Sequence, residues 1–85
     1  MSRTTLDLKG LLCPLPVLRA NKAMRALDPG DEVEVLATDP AAPTDFAAFC
    51  TTAGHELVSS TEDDGVYALV VRKTAGAASG GRPTR

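Results

Sequence analysis

Between Thr4 and Arg72 the apolar residues switch back and forth between a two-residue and a three-to-four-residue period. In a chain this short, that alternation limits both the number of elements and their order. Thr4-Thr5-Leu6-Asp7-Leu8-Lys9 alternates polar with apolar and predicts a first strand, closed by Gly10. From Pro14 to Leu27 the spacing becomes helical. Val17, Ala20, Met24 and Leu27 share one stripe, while Arg19, Lys22 and Arg25 share another. Asp28-Pro29-Gly30-Asp31 is a turn signal that stops this helix. Glu32 to Ala37 alternates again and predicts a second strand, with Val33 and Val35 on one side and Glu32 and Glu34 on the other. Thr38 to Pro43 is a loop stiffened by two prolines. Thr44 is placed to cap a second helix running to Ala53, with Asp45 in its first turn and Gly54 at its C-cap. Phe46, Phe49, Cys50 and Ala53 form the apolar stripe of that helix. His55 to Ser60 predicts a short third strand, and Glu62-Asp63-Asp64-Gly65 a turn with an Asp-Gly hairpin step. Val66 to Arg72 is the most apolar strand, which suits the centre of a sheet.

The order βαβαββ corresponds to an α+β two-layer sandwich, with two helices packed on one face of a four-stranded mixed sheet and the other face exposed. The first two strands, joined through a helix, are expected to run parallel with a right-handed crossover. Their C-terminal ends then lie side by side, which brings Cys13 towards Asp39 and Pro40. Parallel α/β units build their sites at that edge. Eighty-five residues provide for one core, so residues 1–73 are expected to form a single domain. The segment 74–85 is rich in Gly, Ala and Ser, carries no apolar side chain larger than Ala, and is expected to be disordered.

Composition narrows the function classes. Phe46, Phe49 and Tyr67 are the aromatic residues and there is no Trp, so the core must be built from Leu, Val, Ala and Met. No apolar run approaches the roughly 20 residues a membrane span needs. Met1 to Thr5 lacks the apolar stretch of a secretory signal, so a cytoplasmic location is expected, with no membrane partner. Nine basic and eleven acidic side chains give a formal charge of -2. With Arg82 and Arg85 in the tail set aside, the body carries seven basic groups against eleven acidic ones. That sign disfavours direct binding of a phosphate backbone.

Two cysteines are too few for the disulfide framework of a small secreted domain. With His55 they make three scattered candidates without close-spaced ligand pairs, so no metal is expected. Thiol chemistry is what remains. Cys13-Pro14-Leu15-Pro16 stands where the first helix begins. With Cys13 as N-cap, the prolines fall at the first and third helical positions and remove two unpaired donors. The Leu15 N–H is left where an N-cap side chain accepts, and the positive end of the helix dipole favours thiolate over thiol. Leu15 precedes Pro16 and is pushed away from helical geometry, so an irregular first turn is expected. The competing reading makes Cys13 a small buried apolar residue. The prolines weigh against it, because they shape a helix start and contribute nothing obvious to a core. Cys50, on an apolar stripe, reads as packed, and His55 as a surface or strand-edge residue. Asp39 is either an edge residue of the Cys13 site or the aspartate that shapes the turn before Pro40. Arg19, Lys22 and Arg25 are either a solvated helix face or a docking surface for acidic partner proteins.

The run from Leu6-Asp7 through Gly10, followed by Cys13-Pro14-Leu15-Pro16, resembles the TusA/SirA family of small sulfur carriers, whose signature is CPxP. The resemblance continues through Asp28-Pro29-Gly30-Asp31, Asp39-Pro40, Phe49-Cys50 and His55-Glu56-Leu57-Val58, covering residues 5–73. Phe49-Cys50 and His55-Glu56-Leu57 point to the TusA branch. The resemblance implies a fold like the C-terminal domain of bacterial translation initiation factor three. It also implies that Cys13 accepts a sulfane sulfur as a persulfide from a cysteine desulfurase or rhodanese. The sulfur then passes to a cysteine of a downstream relay protein, for tRNA 2-thiouridine formation, molybdenum cofactor assembly or sulfur oxidation. Such sulfurtransferase-type traffic needs no cofactor beyond the transient persulfide. Two other classes compete: a thiol redox switch acting by binding, and a non-catalytic RNA-binding module. Fold analogy alone suggests the second of these, and scarce aromatics and the acidic body weaken it.

Overall fold

Residues 3–12 and 14–74 are described by the structure, a computed structural model. Strand β1 (Arg3–Asp7), helix α1 (Leu15–Arg25), strand β2 (Glu32–Ala37), helix α2 (Ala42–Ala53) and strands β3 (Glu56–Asp63) and β4 (Val66–Arg72) follow in the expected order. The sheet order is β1-β2-β4-β3. β1 and β2 are parallel, with Arg3 opposite Glu32 and Asp7 opposite Leu36. β4 runs antiparallel to both β2 and β3, so the most apolar strand does occupy an interior position. The α+β sandwich with a mixed sheet is therefore the fold of this chain.

Several boundaries differ from the sequence expectation, each for a local reason. α2 begins at Ala42, ahead of Thr44. The Asp39 carboxylate accepts the Ala41 N–H at 3.0 Å and the Asp39 carbonyl accepts the Ala42 N–H at 2.9 Å, closing the turn earlier. Pro43 is then within the first turn, where a missing N–H costs nothing. β3 is longer than expected and runs to Asp63, because pairing with β4 continues to the Asp63–Val66 pair. The hairpin turn is thereby reduced to Asp64 and Gly65, with φ of 53° and 83°. Two successive positive φ values are what a two-residue type I′ turn requires, hence Asp-Gly. Val58 is the extra residue of a bulge, since Leu57 pairs with Val71 and Ser59 with Val70. Of the tail expected at 74–85, residues 75–85 lie outside the described residues, while Thr74 donates its hydroxyl to the Gly54 carbonyl.

Alternation sorts each strand between two faces. Val33, Val35, Ala37, Leu69 and Val71 turn towards the helices and are buried with Leu8, Ala20, Met24, Ala42, Phe46 and Cys50. Phe46 is the largest fully buried side chain, and the ring of Phe49 meets it edge-on at 6.2 Å. The opposite face is mixed: Leu36, Ala68 and the buried Val70 lie on it beside charged residues. Across one row, Arg3 reaches Glu32 at 2.8 Å, and Arg72 contacts Glu32 at 3.3 Å and Glu56 at 2.9 Å. The Arg3 guanidinium, with help from Arg72, holds the Glu32 carboxyl below the usual range. Asp7, Glu34 and Asp63 add further carboxylates to this face.

Lys73 ties the layers together in a way the sequence pattern does not display. Its Nζ donates to the carbonyls of Met24 at 3.0 Å and Leu27 at 2.7 Å, in the last turn of α1 and just beyond its end. Its backbone pairs with Gly30 and Asp31. A cation at a helix C-terminus is favourable in itself, and hydrogen bonds to a charged group contribute about 1.5–3 kcal/mol. Lys73→Met, which keeps the stem, is expected to lower stability by about 2 kcal/mol. Chemical denaturation would show this as an earlier midpoint at unchanged slope.

Candidate functional site

The edge at the C-terminal ends of β1 and β2 is assembled by backbone N–H donors. The Leu8 N–H donates to the Leu36 carbonyl at 2.8 Å, extending the parallel ladder beyond Asp7. The Gly10 N–H donates to Thr38 Oγ1 at 2.9 Å. These bonds hold the segment leading to Cys13 against the segment leading to Asp39. Asp39 itself shapes the turn, since its carboxylate is engaged by the Ala41 N–H within that loop. Cys13 lies outside the described residues. Its neighbours are described: Leu12 and Pro14 are both exposed.

The start of α1 corrects the expected register by one residue. Pro14, with φ -99° and ψ 16°, occupies the N-cap in place of Cys13, and Leu15 is the first helical residue. The prolines accordingly fall at the N-cap and the second helical position, not the first and third. A turn precedes the helix, because the Leu15 N–H donates to the Leu12 carbonyl at 2.9 Å. That N–H, assigned above to the Cys13 sulfur, is therefore engaged by Leu12. The expected irregularity falls on Pro14, outside the helix, and the first α-helical bond runs from the Leu18 N–H to the Pro14 carbonyl at 3.1 Å. Pro16 brings a second correction. It is fully buried, so it is part of the core, and Val17 is only partly covered. Its ring fixes the backbone of the first turn while its apolar surface anchors α1 to the sheet.

With Pro16, Ala20 and Met24 facing inwards, the opposite side of α1 is set. Arg19, Lys22 and Arg25 are exposed there, and α1 has no acidic residue. Leu15 and Leu18 share that side, 44% and 56% exposed, and Leu12 just upstream is 71% exposed. The sequence singled out Leu15 for its backbone alone, and the exposed side chains of the three leucines were not expected. Their signal was available: positions 15, 18, 19 and 22 fall on the side of the wheel away from 16, 20 and 24.

The other candidate groups are more enclosed. Cys50 is 4% exposed, and burial pushes its thiol up to about 11, so thiolate is scarce there at neutral pH. His55 is half-buried against the Phe49 ring, at 5.5 Å between centroids. Its Nδ1 is buried and meets no hydrogen-bond partner among the described residues. Desolvation, reinforced by the Lys73 charge, holds its pKa below the ordinary value. A depressed imidazole pKa means the unfolded chain binds more protons in the window between the two pKa values. Stability is therefore expected to be full above about pH 6.5 and to decline as the pH falls through the folded-state pKa. Melting temperatures from pH 7.5 to 5 would show the decline, and His55→Gln should flatten it.

The chain is similar to proteins already grouped by sequence. A family model described as Sulfurtransferase TusA matches residues 4–73. A protein of Neisseria meningitidis serogroup A, named among the sulfur carrier proteins, is 54% identical over 72 residues, covering 85% of this chain and 97% of its own. The sulfur carrier protein TusA of Allochromatium vinosum is 44% identical over 69 residues, covering 81% of this chain and 91% of its own. The crystal structure of a SirA-like protein from Desulfitobacterium hafniense superposes with a TM-score of 0.75 at 27% identity, covering 88% of this chain and all of that one. With fold, motif and match coinciding over the same residues, this chain belongs to the TusA/SirA family, on its TusA branch.

Proposed function

We propose that this chain is a cytoplasmic sulfur carrier of sulfurtransferase type, with Cys13 as the residue that bears the sulfur. The observation carrying the proposal is the family match across residues 4–73, which includes the Cys13-Pro14-Leu15-Pro16 motif. The exposed flanks of Cys13 agree with it, because transfer between two protein thiols needs an accessible sulfur. In the loading step the Cys13 thiolate attacks the terminal sulfur of a donor persulfide, on a cysteine desulfurase or rhodanese. The donor S–S bond breaks, its electron pair leaves with the donor cysteine as thiolate, and a persulfide forms on Cys13. In the unloading step an acceptor thiolate attacks that terminal sulfur and Cys13 departs as thiolate. Neither step needs an outside oxidant or reductant. Both favour a thiol whose pKa lies near ambient pH, since it must attack and then leave.

Pro14 and Pro16 support the site by setting the backbone at the start of α1, and Asp39 forms its edge through the turn beside Thr38. Arg19, Lys22 and Arg25 form a docking face for acidic partners: the donor, and a downstream relay protein serving tRNA 2-thiouridine formation or related sulfur traffic. Incubation with a cysteine desulfurase and cysteine is expected to add the mass of one sulfur atom to the chain. No adduct with any desulfurase or rhodanese donor would remove the proposal. Arg19→Glu with Lys22→Glu is expected to slow loading several-fold at low salt, because reversed charges oppose encounter. Unchanged loading kinetics at low salt would separate those residues from docking.

A further inference from the structure

The large apolar side chains exposed among the described residues are Leu12, Leu15, Leu18 and Val58. Three of them lie within seven positions of sequence that bracket Cys13. Leu15 and Leu18 are three apart on α1 and so are surface neighbours, and the Leu12–Leu15 backbone bond draws Leu12 towards them. Arg19 and Lys22 follow four positions after Leu15 and Leu18, so the leucines pass directly into the cations along one side of the helix. Folding leaves this surface uncovered although α1 buries a complete apolar stripe on its other side.

We infer that Leu12, Leu15 and Leu18 form the apolar centre of a protein-docking surface of which Arg19, Lys22 and Arg25 form one rim. The partner it fits is a protein with an apolar depression edged by Asp or Glu on the side that receives the helix. An apolar patch bordered by charge marks an association site. The charge is one-sided, with three cations and no carboxylate on α1, in a chain of formal charge -2. That asymmetry favours an acidic partner surface over a second copy of this chain, whose matching patch would be equally basic. The inference deepens the carrier proposal and rests on it, since that proposal makes the occupant a protein and not a lipid surface.

The division of labour gives a direct test. At 1 M salt the Debye length falls to about 3 Å, so rim charges are largely screened while apolar contact persists. Leu12→Ser with Leu18→Ser is compared with Arg19→Glu with Lys22→Glu in cysteine-desulfurase-driven loading, at low salt and at 1 M. The leucine variant is expected to raise KM for the carrier at least tenfold at both salt levels. The charge variant should raise it at low salt and approach wild type at 1 M. Leu12 and Leu18 are exposed, and thermal unfolding of the variants verifies that the fold is retained. If the wild type loads while the leucine variant keeps its KM, the apolar centre is refuted and the carrier proposal stands. A wild type that takes sulfur neither from the desulfurase nor from inorganic polysulfide would instead remove the carrier proposal itself. Leucine-dependent flotation with phosphatidylglycerol vesicles, or a leucine-dependent dimer in sedimentation, would also overturn the assignment by giving the patch another occupant.

Discussion

Serine in place of Cys13 is expected to leave a folded chain that takes up no sulfur, while alanine in place of Cys50 should still gain one atom. The contrast follows from what each thiol needs in order to react. Transfer requires thiolate and room for a second protein. Cys50 lacks both: it is 4% exposed, and burial pushes its thiol up to about 11. Raised from 9.0 to about 11, this thiol has a thiolate fraction at neutral pH lower by about two orders of magnitude. Cys13 stands between two exposed residues, ahead of a helix whose positive end favours an anion nearby. Intact mass after desulfurase treatment reads the result directly. A sulfur adduct on the Cys13→Ser chain would move the chemistry to Cys50 and undo the assignment. Alanine is the cleaner probe at position 50, because a serine hydroxyl there would be buried on an apolar stripe without an assured partner.

The largest loss of stability is expected from Phe46→Ala. Phe46 is fully buried in the cluster that joins α2 to β2 and β4. Emptying such a site costs about 3–5 kcal/mol, the transfer term plus the cavity left behind. A chain of 85 residues has roughly 4–13 kcal/mol in total, so the substitution removes a large share of it. The neighbours have limited means to compensate. Val33, Val35 and Val71 are held in register by the ladder, and Phe49 approaches Phe46 only by its edge. Thermal unfolding should shift down by about 15 °C or more. A midpoint lowered by only a few degrees would mean that the core closes around the gap. Phe49→Ala, at a partly buried position, should cost less.

Much of this architecture was legible because its strands follow a simple rule. β2 alternates without interruption and β4 is apolar from Val66 to Val71, so their ends and the interior place of β4 could be read directly. The Asp64-Gly65 turn was equally legible, since few dipeptides accept two positive φ values. The end of β3 was not, because Thr61 to Asp63 are strand residues by virtue of pairing with β4, a non-local cause. The starts of both helices were displaced for a different reason. Thr44 and Cys13 each suited an N-cap by type, but backbone turns closed by Asp39 and by Leu12 decided the register. Pro16 was read for the conformation it imposes and not for the surface it buries. The exposed side chains of Leu15 and Leu18 went unremarked because a leucine in a helix is ordinarily assigned to the core, and only the buried stripe shows that these two face away from it.

The separation of charge between the two layers makes the molecule an electric dipole across its thickness. Cations line the outer side of α1, while Asp7, Glu32, Glu34 and Glu56 stand on the far face of the sheet, only partly matched by Arg3 and Arg72. In the field of an acidic body such a molecule feels a torque as well as a pull, and it turns its helix side forward before contact. The layers that bury the core thus also settle which side of the carrier arrives first, and the exposed Leu15 and Leu18 of α1 are on that side.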